Sequence, residues 1–264
     1  MGARVLSVIV STHDRLAKLR RLLDCLRDQQ LAADDYEVIV VDDGSTPAVT
    51  LEPRTEAPSE RLIRVERCGR SMARNLGAKA ARGQWLVFLD DDMTVGPSFL
   101  TAHLAALKDW HETILTGSIR IADEALSRPF PRFRQRLEDR GVPRSVGVTE
   151  TESSAAAGNM AMHTRVFHRL GGFDPALSSG EDRDLALRHG AVGGRTAFVP
   201  QAVSVHHDDA MDVRSYCLRS EWGAERLVPL DRKHSDLRES VEREAVNGPL
   251  RLGREPLGLS LRKA

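Results

Sequence analysis

Short apolar runs alternate with helically spaced apolar residues along the first hundred positions. Residues 6–10, which are apolar except for Ser7, and residues 38–41 form short apolar runs, as expected for strands that are buried on both faces. Residues 62–65 and 85–89 predict a third and a fourth strand. Between these runs, apolar residues recur at the spacing of one helix face: Leu16, Leu19, Leu22, Leu23 and Leu26, then Ala73, Leu76, Ala80 and Ala81. Strands separated by helices predict an α/β fold, with a mostly parallel central sheet and helices on both faces.

Local signals refine this pattern. Asp14 stands where it could cap the first helix, and the proline-containing residues 47–58 predict an irregular loop. Residues 128–144 contain many arginines and three prolines, which indicates either an excursion or a short helix. The later predicted elements are helices at 99–107 and 185–189, strands at 114–121 and 198–205 (the latter broken by Pro200), a return to the core at 155–162 and a turn at 171–175.

Composition narrows the class of protein. Lys and Arg together number 38 and so do Asp and Glu, so no overall field attracts nucleic acid. Cys25, Cys68 and Cys217 are far apart, which suits interior or partly buried thiols in a reducing cytoplasm. The sequence contains no run of about 18 apolar residues, the length that would predict a membrane span. We therefore expect a cytoplasmic protein without a transmembrane segment, and peripheral membrane contact through a lipid acceptor stays open.

Polar residues follow three predicted strands. They are residues 11–14, residues 42–43 and the aspartate triplet 90–92. Parallel sheets bind ligands in the crevice at the carboxyl ends of their strands, so these segments should converge. The first strand is not followed by a glycine-rich phosphate turn, so a bound nucleotide needs another counter-charge. A divalent cation among the carboxylates supplies one, and the alternative for the triplet is a solvated loop.

Six segments in this order resemble the family-2 glycosyltransferases with the GT-A fold, over roughly residues 5–210. They are Ser7-Val-Ile-Val-Ser-Thr12, Val41-Asp-Asp-Gly-Ser45, Ala73-Arg-Asn-Leu-Gly-Ala78, Phe88-Leu-Asp-Asp-Asp92, Gly171-Gly-Phe-Asp174 and Gly180-Glu-Asp-Arg-Asp-Leu185. The resemblance implies a Rossmann-like GT-A domain over residues 1–212. Its nucleotide-sugar half would span residues 1–110 and its acceptor and catalytic half residues 111–212. Residues 213–264 would form a helical extension, with a tail expected to be disordered.

The resemblance also implies a donor site. Ser11 and Asp43 would hold the nucleotide base and Asp91 the ribose, while Arg70 would lie near the base or the phosphates. The first loop has His13-Asp14 where many relatives have Tyr-Asn, a difference that bears on which base is accepted. The donor residues implied are Ser11, Asp14, Asp43, Arg70, Asp90 and Asp91.

A metal site is implied beside the donor. Asp92 would bind a divalent ion that bridges the diphosphate, with Asp90 supporting it. His206 would complete the coordination, which favours Mn²⁺ over Mg²⁺ because imidazole is a softer ligand than carboxylate. The alternative for His206-His207 is a hydrated surface pair, and His206 aligns better than its neighbour.

The second half carries the implied base. Asp182 matches the residue that accepts the acceptor's proton, with Glu181 as its orienting neighbour. A structural alternative exists, because Ser179 and Asp182 have the spacing of a capping box before a helix. The two roles are compatible. Asn159 is a further candidate for a contact with the donor sugar or acceptor, or else satisfies a turn.

These residues predict an inverting glycosyltransferase that moves a sugar from a nucleotide diphosphate, with a UDP-sugar favoured, to an acceptor hydroxyl. The acceptor would be a glycan, a lipid-linked intermediate or a small molecule. A sugar nucleotidyltransferase is the first alternative, but it should carry a basic glycine-rich loop where this chain has Asp14. A non-catalytic nucleotide- or carbohydrate-binding homologue is the second. A glycoside hydrolase would need neither nucleotide crevice nor metal.

Overall fold

The computed structural model describes residues 5–52, 58–141, 143, 146–151, 155–208 and 212–234. Its strands are β1 (Leu6–Thr12), β2 (Tyr36–Asp43), β3 (Ser59–Val65), β4 (Trp85–Asp90), β5 (Met93–Val95), β6 (Thr113–Ile121), β7 (Thr149–Glu150), β8 (Asn159–His163) and β9 (Arg195–His206). Its helices are α1 (Leu16–Arg27), α2 (Arg70–Ala80), α3 (Phe99–Asp109), α4 (Pro129–Gly141), α5 (Thr164–Arg169), α6 (Glu181–Ala191) and α7 (Val213–Lys233).

The strands of the described residues form one sheet in the order β3-β2-β1-β4-β8-β6-β9-β5, and β7 pairs with β9. The first four strands along this order are parallel, and β6 is parallel to β9. β8 runs antiparallel between β4 and β6. The prediction of an α/β fold with a central, mostly parallel sheet is therefore confirmed. Because β4 pairs with β8, the sheet continues through both predicted halves of the chain.

Helices cover both faces of this sheet, as predicted. Successive strand side chains point to opposite faces, so Val8 and Ile9 of β1 belong to different cores. Val8 packs in the core that contains the leucines of α1 and the apolar residues of α3. Ile9 packs in the core that contains Ala73 and Ala78 of α2. This burial on both faces explains why β1, β2 and β4 are largely apolar rather than alternating.

Two local predictions are wrong. Asp14 does not cap α1, because the residue at the N-cap is Arg15 and no side chain bonds the first helical N–H groups. Asp14 is instead left-handed, with φ 54°, and its Oδ1 accepts a hydrogen bond of 2.7 Å from the Thr46 amide. Cys68 and Cys217 are exposed rather than interior, whereas Cys25 is half-buried on α1. Of the two alternatives for residues 128–144, the structure forms the helix α4.

Strand β9 continues past Pro200 through a bulge. Gly117 of β6 pairs with Val199, but the next residue of β6, Ser118, pairs with Val203, so three residues of β9 are extra. Beyond the bulge the register is regular again, and His206 pairs with Met93 of β5. The bulge therefore carries the end of β9 to the residues that follow the aspartate triplet.

The helix α7 begins at Val213, where the predicted extension begins, and it is anchored on α6. The buried carboxylate of Asp184 lies 2.9 Å from Lys233 Nζ and 2.8 Å from His234 Nε2. None of the described helices is long and apolar enough to cross a membrane. The tail after residue 234, which we predicted to be disordered, lies outside the described residues.

Close packing of α2 on the sheet predicts that Gly77→Ala destabilises the fold. A Cβ at Gly77 would lie 2.5 Å from Ile9 Cγ2 and 3.2 Å from Val41 Cγ2, inside a filled core. We expect the free energy of unfolding to fall by about 2 kcal/mol, measured by urea denaturation. Gly190→Ala in α6 is the control, since no atom lies within 4 Å of its added Cβ. It should raise stability by about 0.5 kcal/mol, and equal losses in both variants would contradict the packing argument.

Candidate functional site

A cleft of about 710 Å³ opens at the carboxyl ends of β1, β2 and β4. The predicted site residues that line it are Ser11, Asp43, Arg70, Asp90, Asp91, Asp92 and His206. Asp14, Glu181 and Asp182 are not among the lining residues. The three polar strand ends thus converge, as the topology of a parallel sheet requires. Side chains from α2, the segment before α6, and α7 complete the wall: Ser71, Arg74, Pro175, Leu177, Ser178 and Arg226.

The paired aspartates at the end of β2 have different surroundings. Asp42 is fully buried, and its carboxylate accepts from Arg64 Nη1 at 2.6 Å and from the amides of Ser45 and Val49. These bonds fix the loop that follows β2. Asp43 lines the cleft, and its carboxylate accepts from the Cys68 amide at 2.6 Å and from the Gly69 amide. Asp43 therefore ties the entry to α2 to the end of β2.

The last two aspartates of the triplet share a cation from the start of α1. Arg15 Nη1 lies 3.1 Å from Asp91 Oδ1 and 3.1 Å from Asp92 Oδ2. Thr12 Oγ1 also donates to Asp91 Oδ2 at 2.6 Å. Burial raises the pKa of Asp91 above its usual value, although Thr12 and Arg15 both oppose this shift. Asp91 and Asp92 are thus adjacent, nearly buried carboxylates held beside one guanidinium.

His206 lies at the end of β9, which is separated from β4 by β8 and β6 in the sheet, and its ring contacts Asp92. Its Nε2 lies 3.3 Å from Asp92 Oδ2. Burial alone lowers the pKa of His206, but its hydrogen bond to Asp92 and the charge of that carboxylate raise it above the ordinary value overall. The ring of His207 instead contacts Thr94 Oγ1 and lies 3.6 Å from Glu124. His206, rather than His207, is therefore the histidine beside the acidic strand end.

Asp92 and His206 together offer an oxygen and a nitrogen to a divalent cation. Within the described residues, no group of three or more His, Cys, Asp or Glu side chains is close enough to hold an ion. A cation here would need its remaining ligands from water and from a bound ligand such as a diphosphate, which is how divalent ions are often held with nucleotides. The pair fits such a shared ion, but Arg15 already contacts Asp92 Oδ2.

A buried arginine connects the third aspartate to α6. Arg74 is only 3% exposed; its Nη2 donates to Asp90 Oδ1 at 2.5 Å and its Nη1 to Glu181 Oε1 at 2.7 Å. Arg70 Nε lies 3.2 Å from the same Glu181 oxygen. Glu181 therefore contacts two cleft-lining arginines while its own side chain stays buried. Its carboxylate balances one of their two positive charges, and these contacts hold the first turn of α6 beside α2.

Asp182 follows in the first turn of α6 and is half-buried. Its Oδ2 accepts from the Ala157 amide at 3.1 Å and its Oδ1 from its neighbour Arg183. Burial raises the pKa of Asp182 above its usual value, and the charge of Glu181 adds to this shift. The capping-box alternative is not supported, because the N-cap is Gly180 and no side chain caps α6. A carboxylate with a raised pKa is a stronger base than an ordinary one.

Three of the candidate site residues, Asp14, Glu181 and Asn159, do not line the cleft. Asp14 is exposed and bonded to the turn at Ser45 and Thr46, because its backbone is left-handed. Glu181 is turned to the arginines of α2. Asn159 is fully buried, so the suggested contact with a sugar is wrong; its Nδ2 donates to Ser118 O and Ala202 O at the bulge of β9.

Two arginines that organise the site were absent from the predicted residues. Arg74 lies within the segment 73–78 that resembles the family, and Arg15 directly follows Asp14. A useful signal was available for Arg74. An arginine on the inner face of a helix, between the alanines that pack on the sheet, must be buried and hence paired.

Removing the Arg74 cation should destabilise the protein strongly. Arg74→Met keeps the side-chain length but leaves Asp90 and Glu181 without their shared partner, so we expect unfolding to cost about 3 kcal/mol less. Arg169→Met is the matched control, because Arg169 and Glu112 form an exposed pair. Arg169→Met should lower the free energy of unfolding by less than about 1 kcal/mol. Urea denaturation measures both, and similar losses would show that the Arg74 network contributes no more than a surface pair.

Comparison with known proteins identifies the scaffold. The family model described as glycosyl transferase family 2 matches residues 7–171. The pre-mycofactocin glycosyltransferase of Mycobacterium tuberculosis is 28% identical over 240 residues, covering 88% of this chain and 49% of that protein. The chain spans about half to three fifths of the length of the curated relatives it matches first.

Solved structures share the fold. A mannosyltransferase from Pyrobaculum calidifontis, in complex with GDP-Man and Mn²⁺, superposes with a TM-score of 0.64 at 21% identity, over 83% of this chain and 61% of that chain. GalNAc-T7, with UDP, GalNAc and Mn²⁺, superposes with a TM-score of 0.59 at 20% identity, over 78% of this chain and 44% of that chain. The predicted GT-A fold is confirmed. Since the family model covers well over half of the chain, the protein belongs to glycosyl transferase family 2.

Proposed function

We propose that this protein is a metal-dependent, inverting glycosyltransferase that moves a sugar from a nucleotide diphosphate, with a UDP-sugar favoured, onto an acceptor hydroxyl. The observation that carries the proposal is the convergence of Asp43, Asp91, Asp92 and His206 in one cleft at the carboxyl ends of the parallel strands. Membership of glycosyl transferase family 2 supports it. So do the ligands of the two similar structures, GDP-Man in one and UDP in the other, each with Mn²⁺.

In this proposal the donor nucleotide lies along the ends of β1 and β2. Ser11 and Asp43 contact the base, and Arg70 contributes a cation near the base or phosphates. Asp91 accepts from a ribose hydroxyl. Although Thr12 and Arg15 each bond one Asp91 oxygen, a carboxylate has about four acceptor positions. Enough capacity therefore remains for a hydroxyl donor.

Asp92 and His206 are the proposed protein ligands of the metal, with Asp90 in support. A bound divalent ion would stabilise the negative charge that builds on the departing diphosphate. The mixed oxygen and nitrogen pair favours Mn²⁺ over Mg²⁺. The chain's own part is to hold these two side chains together, which the bulge of β9 and the pairing of His206 with Met93 achieve.

Asp182 is the proposed general base. Its raised pKa makes it able to take the proton of an acceptor hydroxyl, and two backbone amides fix its carboxylate. Glu181 orients it from the neighbouring position through the bonds to Arg70 and Arg74. With one base and no protein nucleophile, the hydroxyl attacks the anomeric carbon opposite the leaving diphosphate. The configuration at that carbon is therefore inverted.

The remaining assignments follow from this reaction. We propose that residues 1–212 form the glycosyltransferase domain and that the extension from residue 213 borders its cleft through Arg226. The acceptor is a glycan, a lipid-linked intermediate or a small molecule, and we place the reaction in the cytoplasm, with contact to a membrane only where the acceptor is lipid-linked. No nucleic-acid partner is proposed.

Thermal unfolding with nucleoside diphosphates tests the donor and metal site. We expect UDP with Mn²⁺ to raise the melting temperature and EDTA to cancel the rise; a ligand at a hundred times its Kd stabilises by about 2.7 kcal/mol. Asp92→Asn should lose the metal-dependent rise. The exposed Asp24, which pairs with Arg27, supplies the control, since Asp24→Asn removes the same charge outside the cleft.

The outcomes separate the candidate functions. A metal-dependent rise with GDP, dTDP or CDP in place of UDP would keep the reaction and correct the base. Absence of a rise with every diphosphate and metal would reject the donor site and favour a non-catalytic homologue. A rise with nucleoside triphosphate in preference to diphosphate would favour a sugar nucleotidyltransferase.

Asp182→Asn tests the base. The variant should keep the metal-dependent rise in melting temperature with UDP, because Asp182 does not line the cleft. Release of nucleoside diphosphate in the presence of acceptor should fall by about a thousandfold, the usual scale for losing a general base. Asp174→Asn is a matched control in the turn before α6. Full transfer activity in folded Asp182→Asn protein would remove Asp182 from the mechanism.

A further inference from the structure

We infer that Arg15 is a built-in counter-ion of the metal site, which competes with the divalent cation for Asp92 until the nucleotide diphosphate arrives. The inference rests on the proposed function, because it concerns the same metal site. It assigns Arg15, which the sequence did not place in the site, the task of coupling metal binding to nucleotide binding. The inference concerns the binding of the two ligands, to which Arg15 contributes a positive charge.

The geometry places Arg15 in competition with a cation. Its Nη1 lies 3.1 Å from Asp92 Oδ2, and His206 Nε2 lies 3.3 Å from that same oxygen. The Asp92 oxygen nearest to His206 is thus shared by a guanidinium and an imidazole. A cation that bridged this oxygen and His206 would compete with Arg15 for it.

The two sides of this contact differ in freedom. The Asp91 and Asp92 side chains are only 5% and 11% exposed, and Thr12 fixes Asp91. The Arg15 side chain is 52% exposed, and its backbone immediately precedes α1. On displacement, the carboxylates would stay in place and the arginine would move. The open cleft beside Arg15 leaves room for its side chain to move, and a diphosphate would enter the same cleft.

Charge explains why the nucleotide would be needed. Arg15 and a divalent cation together bring three positive charges to the two carboxylates Asp91 and Asp92. Asp90 cannot offset the excess fully, because Arg74 already pairs with it. In a partly buried cleft, the repulsion between guanidinium and metal is weakly screened. A diphosphate removes this repulsion by supplying negative charge to both cations, and guanidinium binds phosphate oxygens readily in a bidentate manner.

A purely structural role for Arg15 makes a different prediction. If Arg15 only braced the end of β4, its loss would loosen Asp91 and Asp92 and weaken metal binding. If it competes with the metal, its loss exposes Asp92 and strengthens binding of metal alone. The sign of the change in Mn²⁺ affinity therefore separates the two roles, and no donor sugar or acceptor needs to be known.

The test is titration of the protein with Mn²⁺ alone, following the electron paramagnetic resonance signal of free Mn²⁺. Arg15→Gln should bind Mn²⁺ about fivefold more tightly than the natural protein, the scale of one broken, partly exposed ion pair. Arg21→Gln, which removes the same charge from an exposed position of α1, should match the natural protein. Adding Asp92→Asn to Arg15→Gln should abolish the gain. Folding of each variant is checked by its melting temperature.

A second titration measures coupling. In the natural protein, UDP should tighten Mn²⁺ binding by about tenfold or more, and Arg15→Gln should reduce this factor because the metal no longer depends on nucleotide to displace the arginine. Unchanged or weaker Mn²⁺ affinity in Arg15→Gln, or no binding by any variant, overturns the inference. A gain in Mn²⁺ affinity without any nucleotide effect in the natural protein would support the competition for Asp92, but it would reject both the coupling to nucleotide and the proposed donor site.

Discussion

The buried guanidinium of Arg74 is the interaction on which the arrangement of the cleft depends. It joins Asp90, at the end of β4, to Glu181, which lies 107 residues further along the chain from Arg74 at the start of α6. A buried charge is tolerated only when it is paired, so both carboxylates must stay in contact with it. Three elements are therefore held in one frame: the proposed donor and metal residues after β4, the cations of α2 and the proposed base on α6.

A second constraint comes from the bulge in β9, which brings a histidine from a distant strand to this frame. The bulge leaves Ala202 O and Ser118 O to be satisfied by Asn159 Nδ2. His103 Nε2 in turn pairs with Asn159 Oδ1, and burial lowers the pKa of His103 to about 4, so it stays neutral there. This buried network stabilises an irregular register rather than binding a ligand, and the register sets His206 beside Asp92.

The fold and the edge that carries the site could be predicted because they depend on short-range patterns. Apolar runs identify buried strands, and a parallel sheet brings their acidic ends together. The positions of Asp14 and Asn159 could not be predicted, because each side chain bonds backbone groups that only the tertiary structure brings near. Arg15 and Arg74 were missed for a related reason: their partners are determined by the strand order, whereas capping and metal patterns are read from neighbours in sequence.

The balance of charge in the whole chain conceals a separation of charge in the cleft. Carboxylates stand at strand ends, whereas the arginines approach from the starts of α1 and α2. A free cation in the cleft is repelled by the arginines, and a free anion is repelled by the carboxylates. In the proposed site, a metal-bound diphosphate would present positive charge to Asp92 and negative charge to the arginines at once. The proposal therefore predicts a preference for the two ligands as a pair, which follows from where the helices begin rather than from the net charge.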